Sequence, residues 1–149
     1  MITEQQPGNI RIELFEIIDR IEKADASERV SLMQSFGKQY TSFTDYLRCV
    51  FDERIQFLLP EGKPPYNPNK NPPSTWHKQH MQLKFWVKGM QGEQANPIRR
   101  EKLFLDMLES VHPDDALLLV DMIAKKTPSK VLTRELVEES FPNLISESS

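Results

Sequence analysis

The chain has 149 residues, 38% of them hydrophobic, with 19 Lys and Arg against 22 Asp and Glu and a formal net charge of −3. That length predicts one domain able to bury a core without covalent staples. Eleven prolines against five glycines exclude a turn-dense all-β fold, and the single cysteine, Cys49, excludes an internal disulfide or a cysteine-based metal cluster.

From residue 9 onward, Ile10, Leu14, Ile17, Ile18 and Ile21 recur at helical spacing, and Asn9 is placed to cap that helix. Asp25 and Glu28 form a capping-box pattern before a second helix with Val30, Met33 and Phe36 on one face. Gly37 is the expected terminator of that helix. A third helix is predicted over residues 41–59, with Phe43, Leu47, Val50, Phe51 and Leu58 inward and Cys49 packed among them.

Residues 60–73 hold six of the eleven prolines, so they are not helix interior. A fourth helix is expected over residues 74–89, capped by Ser74, with Trp76, His80, Leu83 and Val87 on a stripe. Asn96-Pro97 opens a fifth helix and His112-Pro113 a sixth, where Asp114 and Asp115 meet the positive end of the dipole. Thr133 caps a short seventh helix, with Leu132 and Val137 positioned as a staple, and residues 146–149 read as a loose tail. A weak strand pairing between residues 57–59 and Val131 is the only β signal.

The fold class is therefore all-α: about six to seven short helices over residues 1–145, with the proline-rich segment as an ordered wrap. Three short helices precede that segment, too few to close a core alone. Leu58, Leu59, Tyr66 and Trp76 are placed to pin it to the helices, and proline-rich chain loses little entropy on docking.

Motifs for catalysis are missing. There is no nucleophile turn, and no glycine loop that would cradle phosphate. His77 and His80 lie three apart, in reach of one metal, but no ligand-dense motif surrounds them; one is expected beside the tryptophans and the other in solvent. Asp52 and Glu53 are expected on a solvated face. The reading is a non-enzyme without metal or cofactor. There is no basic-then-apolar leader, and the longest apolar run is five residues, 116–120, which suggests a cytoplasmic protein with no membrane contact.

The charge is unevenly spread. Residues 60–102 carry eight Lys and Arg against three Asp and Glu, whereas the segments before and after are acidic. Either the acidic ends neutralise this middle, or it faces an anionic partner. Two binding readings follow. Glu61, Lys63, Pro64, Pro65 and Tyr66 of the wrap, with Trp76, are candidates for a protein-binding face. Lys78, Lys84, Lys88, Arg99, Arg100 and Lys102, interleaved with aromatics, are candidates for contacts to nucleic acid.

The pieces "VFDERIQFLLPEGKPPYNPN", "KLFLDMLESVHPDDALLLVDMIAKK" and "LTRELVEESFPNLI" occur in this order. Together they resemble a family of uncharacterised small proteins from large tailed phages, of the marine myophage type, marked by an LLPEGxPPY signature. Ser140, Asn143 and the irregular "AKKTPSK" depart from the family pattern. The resemblance implies a phage origin and the cytoplasm of an infected bacterium, or the virion. It implies an accessory protein that binds a host or phage protein, with nucleic acid or a minor structural role in the virion as alternatives. It carries no activity and says nothing of oligomeric state.

Overall fold

The structure is a computed structural model that describes residues 11–145. The expected cap Asn9, Ile10 and the tail 146–149 lie outside those residues. Seven α-helices and three 3₁₀ turns make up the described chain, with no strand and one isolated antiparallel bridge.

Helix α1 is Leu14–Lys23, and its buried stripe is Leu14, Ile17, Ile18 and Ile21. Its start is held by Glu13 and Glu16, which satisfy each other's end of the first turn reciprocally. A 3₁₀ turn, Ala26–Glu28, leads into α2, Arg29–Gln39, so the Asp25 pattern opens a tight turn first. Arg29 reaches back to the carbonyls of Ile21 and Glu22, closing the C-terminal end of α1. Gly37 is not the stop that was expected, because α2 runs through it. Its missing side chain makes room instead: a Cβ there would lie 2.6 Å from the Phe141 ring.

Helix α3, Thr41–Phe51, is shorter than the apolar pattern predicts. Asp52 ends it, taking the backbone N–H of Arg54 and part of its guanidinium on the carboxylate. Asp52 is therefore buried, not on a solvated face as expected. The orphan carbonyls at this helix end receive cations from a distant part of the chain. Lys125 Nζ donates to Cys49 O at 2.6 Å and Asp52 O at 2.9 Å, and Arg134 donates to Phe51 O at 2.6 Å. After the break, Phe57 bridges to Val87 and not to the neighbourhood of Val131.

The fourth expected helix is one α-turn, α4 at Trp76–Gln79, continued by a 3₁₀ stretch, His80–Phe85. Thr75, not Ser74, stands at its start. A further 3₁₀ turn, Gln91–Gln94, stacks on that stretch, and Gly92 permits the approach because any side chain would enter the Phe85 backbone. Helix α5, Pro97–Leu108, and α6, Pro113–Ile123, start as the sequence predicts. Asn96 accepts from Ile98 N at 2.8 Å, and His112 Nδ1 accepts from Asp114 N at 3.0 Å. Helix α7, Arg134–Ser140, is capped by Thr133, with the Leu132 and Val137 staple fully buried.

α3 sits against α2, α4 and α6, while α1 lies on α2 and α6, and α7 covers α2. One hydrophobic cluster extends from Ile12 to Ile145 and takes in Leu59, Tyr66 and both tryptophans. Burying those large side chains supplies the main driving force, at about 2 kcal/mol each. The proline segment is thus part of the same core as the helices on either side of it.

Candidate functional site

The proline segment is fixed at both ends. At its start, Leu58 N donates to Trp86 O and Lys88 N to Gln56 O, each at 2.7 Å. At its end, it lies along the C-terminal end of α5. Asn67 N donates to the Glu109 carboxylate at 2.8 Å, Asn69 Nδ2 to Glu109 O, and Ser74 N to Ser110 O. Leu59 and Tyr66 are buried beneath it. Gly62, at φ 102°, supplies a left-handed corner that residues with a side chain adopt only with strain, and Tyr66 N closes a tight turn onto Pro64 O. Lys63 Nζ stands 5.8 Å from the centre of the Tyr66 ring.

Between this strap and α5 runs an open groove of about 290 Å³. Its floor is apolar, made by Leu59, Phe104 and Leu105, and its rim carries Glu61, Lys63 and Glu101. Glu61, Lys63 and Pro65 are exposed, Pro64 is half-buried, and Tyr66 is an anchor. Trp76 is no surface residue: it is fully buried, and its Nε1 donates to Ser42 O at 2.9 Å. It holds the underside of the assembly and cannot touch a partner directly.

The basic candidates divide in the same way. Lys78, Lys84, Lys88, Arg99 and Lys102 are exposed. Arg100 is buried; its guanidinium donates to Gly92 O and Ala95 O, while Trp86 Nε1 donates to the Arg100 carbonyl. Arg100 therefore stitches the 3₁₀ turn at Gln91–Gln94 to α5 and is withdrawn from the surface, where a phosphate would sit. Trp86 is fully buried edge-on to Phe104. Phe85 alone among the aromatics of this region keeps partial exposure without anchoring the strap, and Lys84 lies over its ring.

The two histidines are engaged separately. His77 is stacked on Tyr40 with ring centres 4.2 Å apart. Its Nε2 lies 2.6 Å from Ile12 O, a pure acceptor, so Nε2 carries the proton and Nδ1 accepts from the Ser42 hydroxyl at 2.5 Å. Burial pushes the His77 pKa down, which keeps this neutral form. His80 meets Asp45 at 2.6 Å and lies edge-on to Trp76. Neither ring is simply solvated, contrary to the expectation for one of them, and they face different partners. Among the described residues, no group of three or more His, Cys, Asp and Glu is placed to hold a metal ion. Cys49 is buried and its thiol is pushed up to about 12, mainly by loss of solvent.

No helix among the described residues is long and apolar enough to cross a membrane. No curated protein matches the chain, and no solved structure does. A family model matches residues 17–129, which include α2 to α6, the strap and its groove. The chain belongs to that family, a family of unknown function designated DUF6433.

Proposed function

We propose that the protein is a non-enzymatic binding module that docks a host or phage protein during infection, using the strap and the groove beside it. The phage setting follows from the resemblance in the sequence. The binding role is supported by one observation above all: a proline strap whose two ends are tied to the fold presents exposed Glu61, Lys63 and Pro65 over an apolar groove. A connection alone would not need this construction. Fixed, low-entropy chain at the rim of an apolar groove reduces the ordering cost of association.

The test is affinity purification of the tagged protein from infected cells, with nuclease treatment, comparing wild type with a Lys63→Ala, Pro65→Ala variant. A partner recovered with the wild type and lost with the variant, at unchanged thermal stability, supports the reading. Retention of every partner by the variant sinks it. Recovery that depends on nucleic acid would favour the alternative role, and incorporation into purified particles the virion role.

A further inference from the structure

Among the described residues, Lys102 is the one Lys or Arg of residues 60–102 that forms an ion pair with an acidic side chain. Among the described residues, the Lys and Arg ion pairs are Lys23 with Asp19, Arg48 with Asp45, Arg54 with Asp52, Lys102 with Asp106, and Arg134 with Glu138, while His80 hydrogen-bonds Asp45. Lys78, Lys84, Lys88 and Arg99 make none. The nearby Glu93 carboxylate is taken by the Gly89 backbone N–H.

Among the described residues, the same segment holds three of the four large exposed hydrophobic residues: Met81 at 64%, Met90 at 52% and Ile98 at 78% exposed. Both methionines lie on or beside the stacked 3₁₀ turns; Lys84 lies within the first of these and Lys88 between the two. Ile98 lies beside Arg99 in the first turn of α5, on the helical row that leads through Glu101 to Leu105 in the groove. Phe57 bridging Val87 joins this belt to the start of the strap. Among the described residues, cations without a carboxylate partner thus lie in the same stretch of chain as exposed apolar side chains, and Lys84 also rests over the Phe85 ring.

We infer that this belt docks an acidic protein segment bearing apolar side chains. The inference rests on the protein-binding reading and names the partner's chemistry. Charge complementarity selects the sign, and flexible methionines suit an adaptable apolar contact. Nucleic acid is the poorer fit. Of the aromatic rings that would stack on bases, Trp76 and Trp86 are fully buried and Tyr66 is buried under the strap, which leaves the half-buried Phe85, and Arg100 already holds two carbonyls.

The probe is a fluorescein-labelled synthetic helix with Leu at helical spacing and Glu elsewhere, read by anisotropy against full-length protein. Controls are the same peptide with Lys for Glu, the same with Ser for Leu, a DNA oligonucleotide, and vesicles containing phosphatidylglycerol. Saturable binding is expected only for the Glu–Leu peptide, weakening with salt. It should fall about tenfold or more in Lys84→Glu, Lys88→Glu, Arg99→Glu protein, and separately in Met81→Ser, Met90→Ser, Ile98→Ser protein. Absence of binding, equal binding by the Lys peptide, or preference for DNA or vesicles overturns the inference. If the strap variant loses its cellular partner while both belt variants keep it, this inference fails and the strap reading stands.

Discussion

The Asp115 carboxylate, in the first turn of α6, accepts the backbone N–H of Phe15 at 2.7 Å and that of Leu14 at 3.3 Å. It caps a helix one hundred residues away in sequence, and it is completely buried in doing so. The usual role of an acidic residue at a helix start is to serve its own helix. Here His112 does that for α6, and Asp115 is free to close α1.

This relationship gives a pH dependence. Burial raises the Asp115 pKa to about 7, while the Phe15 and Leu14 N–H groups pull it down by less. The folded value lies above the ordinary 3.8, so the folded protein binds this proton more tightly than the unfolded chain. The stability contributed is complete below that ordinary value and is lost as pH rises through about 7. Urea unfolding at about pH 5 and about pH 8 should show that loss, and Asp115→Asn should flatten it. At the lower pH, Asp115→Ala should cost about 1–2 kcal/mol through the two orphaned N–H groups.

Lys125 has φ 62°, the one left-handed residue other than glycine among those described. That conformation points its chain at the end of α3, where it replaces lost intrahelical partners. Lys125→Ala should destabilise by about 2 kcal/mol, since charged hydrogen bonds to two carbonyls are lost and the backbone strain stays. Lys125→Gly should recover about 1 kcal/mol of this by relieving the strain. Thermal or urea unfolding of the two variants separates the parts; equal losses would show that the backbone is not strained there.

Gly92→Ala should cost at least about 2 kcal/mol, because the new methyl group meets the Phe85 backbone, which has no rotamer with which to escape. The loss should appear as a lower unfolding midpoint, with local exposure of Trp86 detected by a red shift of its fluorescence.

Within the strap, stability and surface should separate. Tyr66→Ala should cost about 3 kcal/mol as a buried aromatic is removed. Lys63→Ala should change the midpoint by no more than about 0.5 kcal/mol, since its side chain is exposed. A large loss from Lys63→Ala would make the residue architectural.

Cys49 should resist a thiol reagent in the native protein and react rapidly once the chain is unfolded. Its thiol is buried with a pKa raised to about 12, so almost no thiolate is present at neutral pH. Fast native labelling would show that the surrounding core opens.

Local patterns predicted the starts of α5, α6 and α7 because the cap and the first turn are neighbours in sequence. The same locality misled at the third helix. Its apolar period continues past Phe51, but the chain turns at Asp52, where Lys125 and Arg134 arrive from elsewhere to hold the carbonyls. Gly37 likewise looked like a stop, and is kept in mid-helix by the Phe141 ring. For the candidate site, the proline clustering marked the strap, and composition marked the basic middle. Neither signal separated exposed Lys63 and Arg99 from buried Trp76 and Arg100, since aromatic and long cationic side chains suit core and surface equally.

The sequence by itself determined the all-α class, a count of about six to seven helices, the exclusion of helix interior from residues 60–73 and the separation of charge along the chain. These follow from periodicity, capping chemistry and proline's fixed φ, all of which act within a few residues. Only the tertiary structure decided which helix Asp115 caps, that the strap shares one core with the helices, and that Lys78, Lys84, Lys88 and Arg99 form no ion pair among the described residues. Those outcomes depend on which distant groups arrive within hydrogen-bonding distance, and local sequence carries no measure of that.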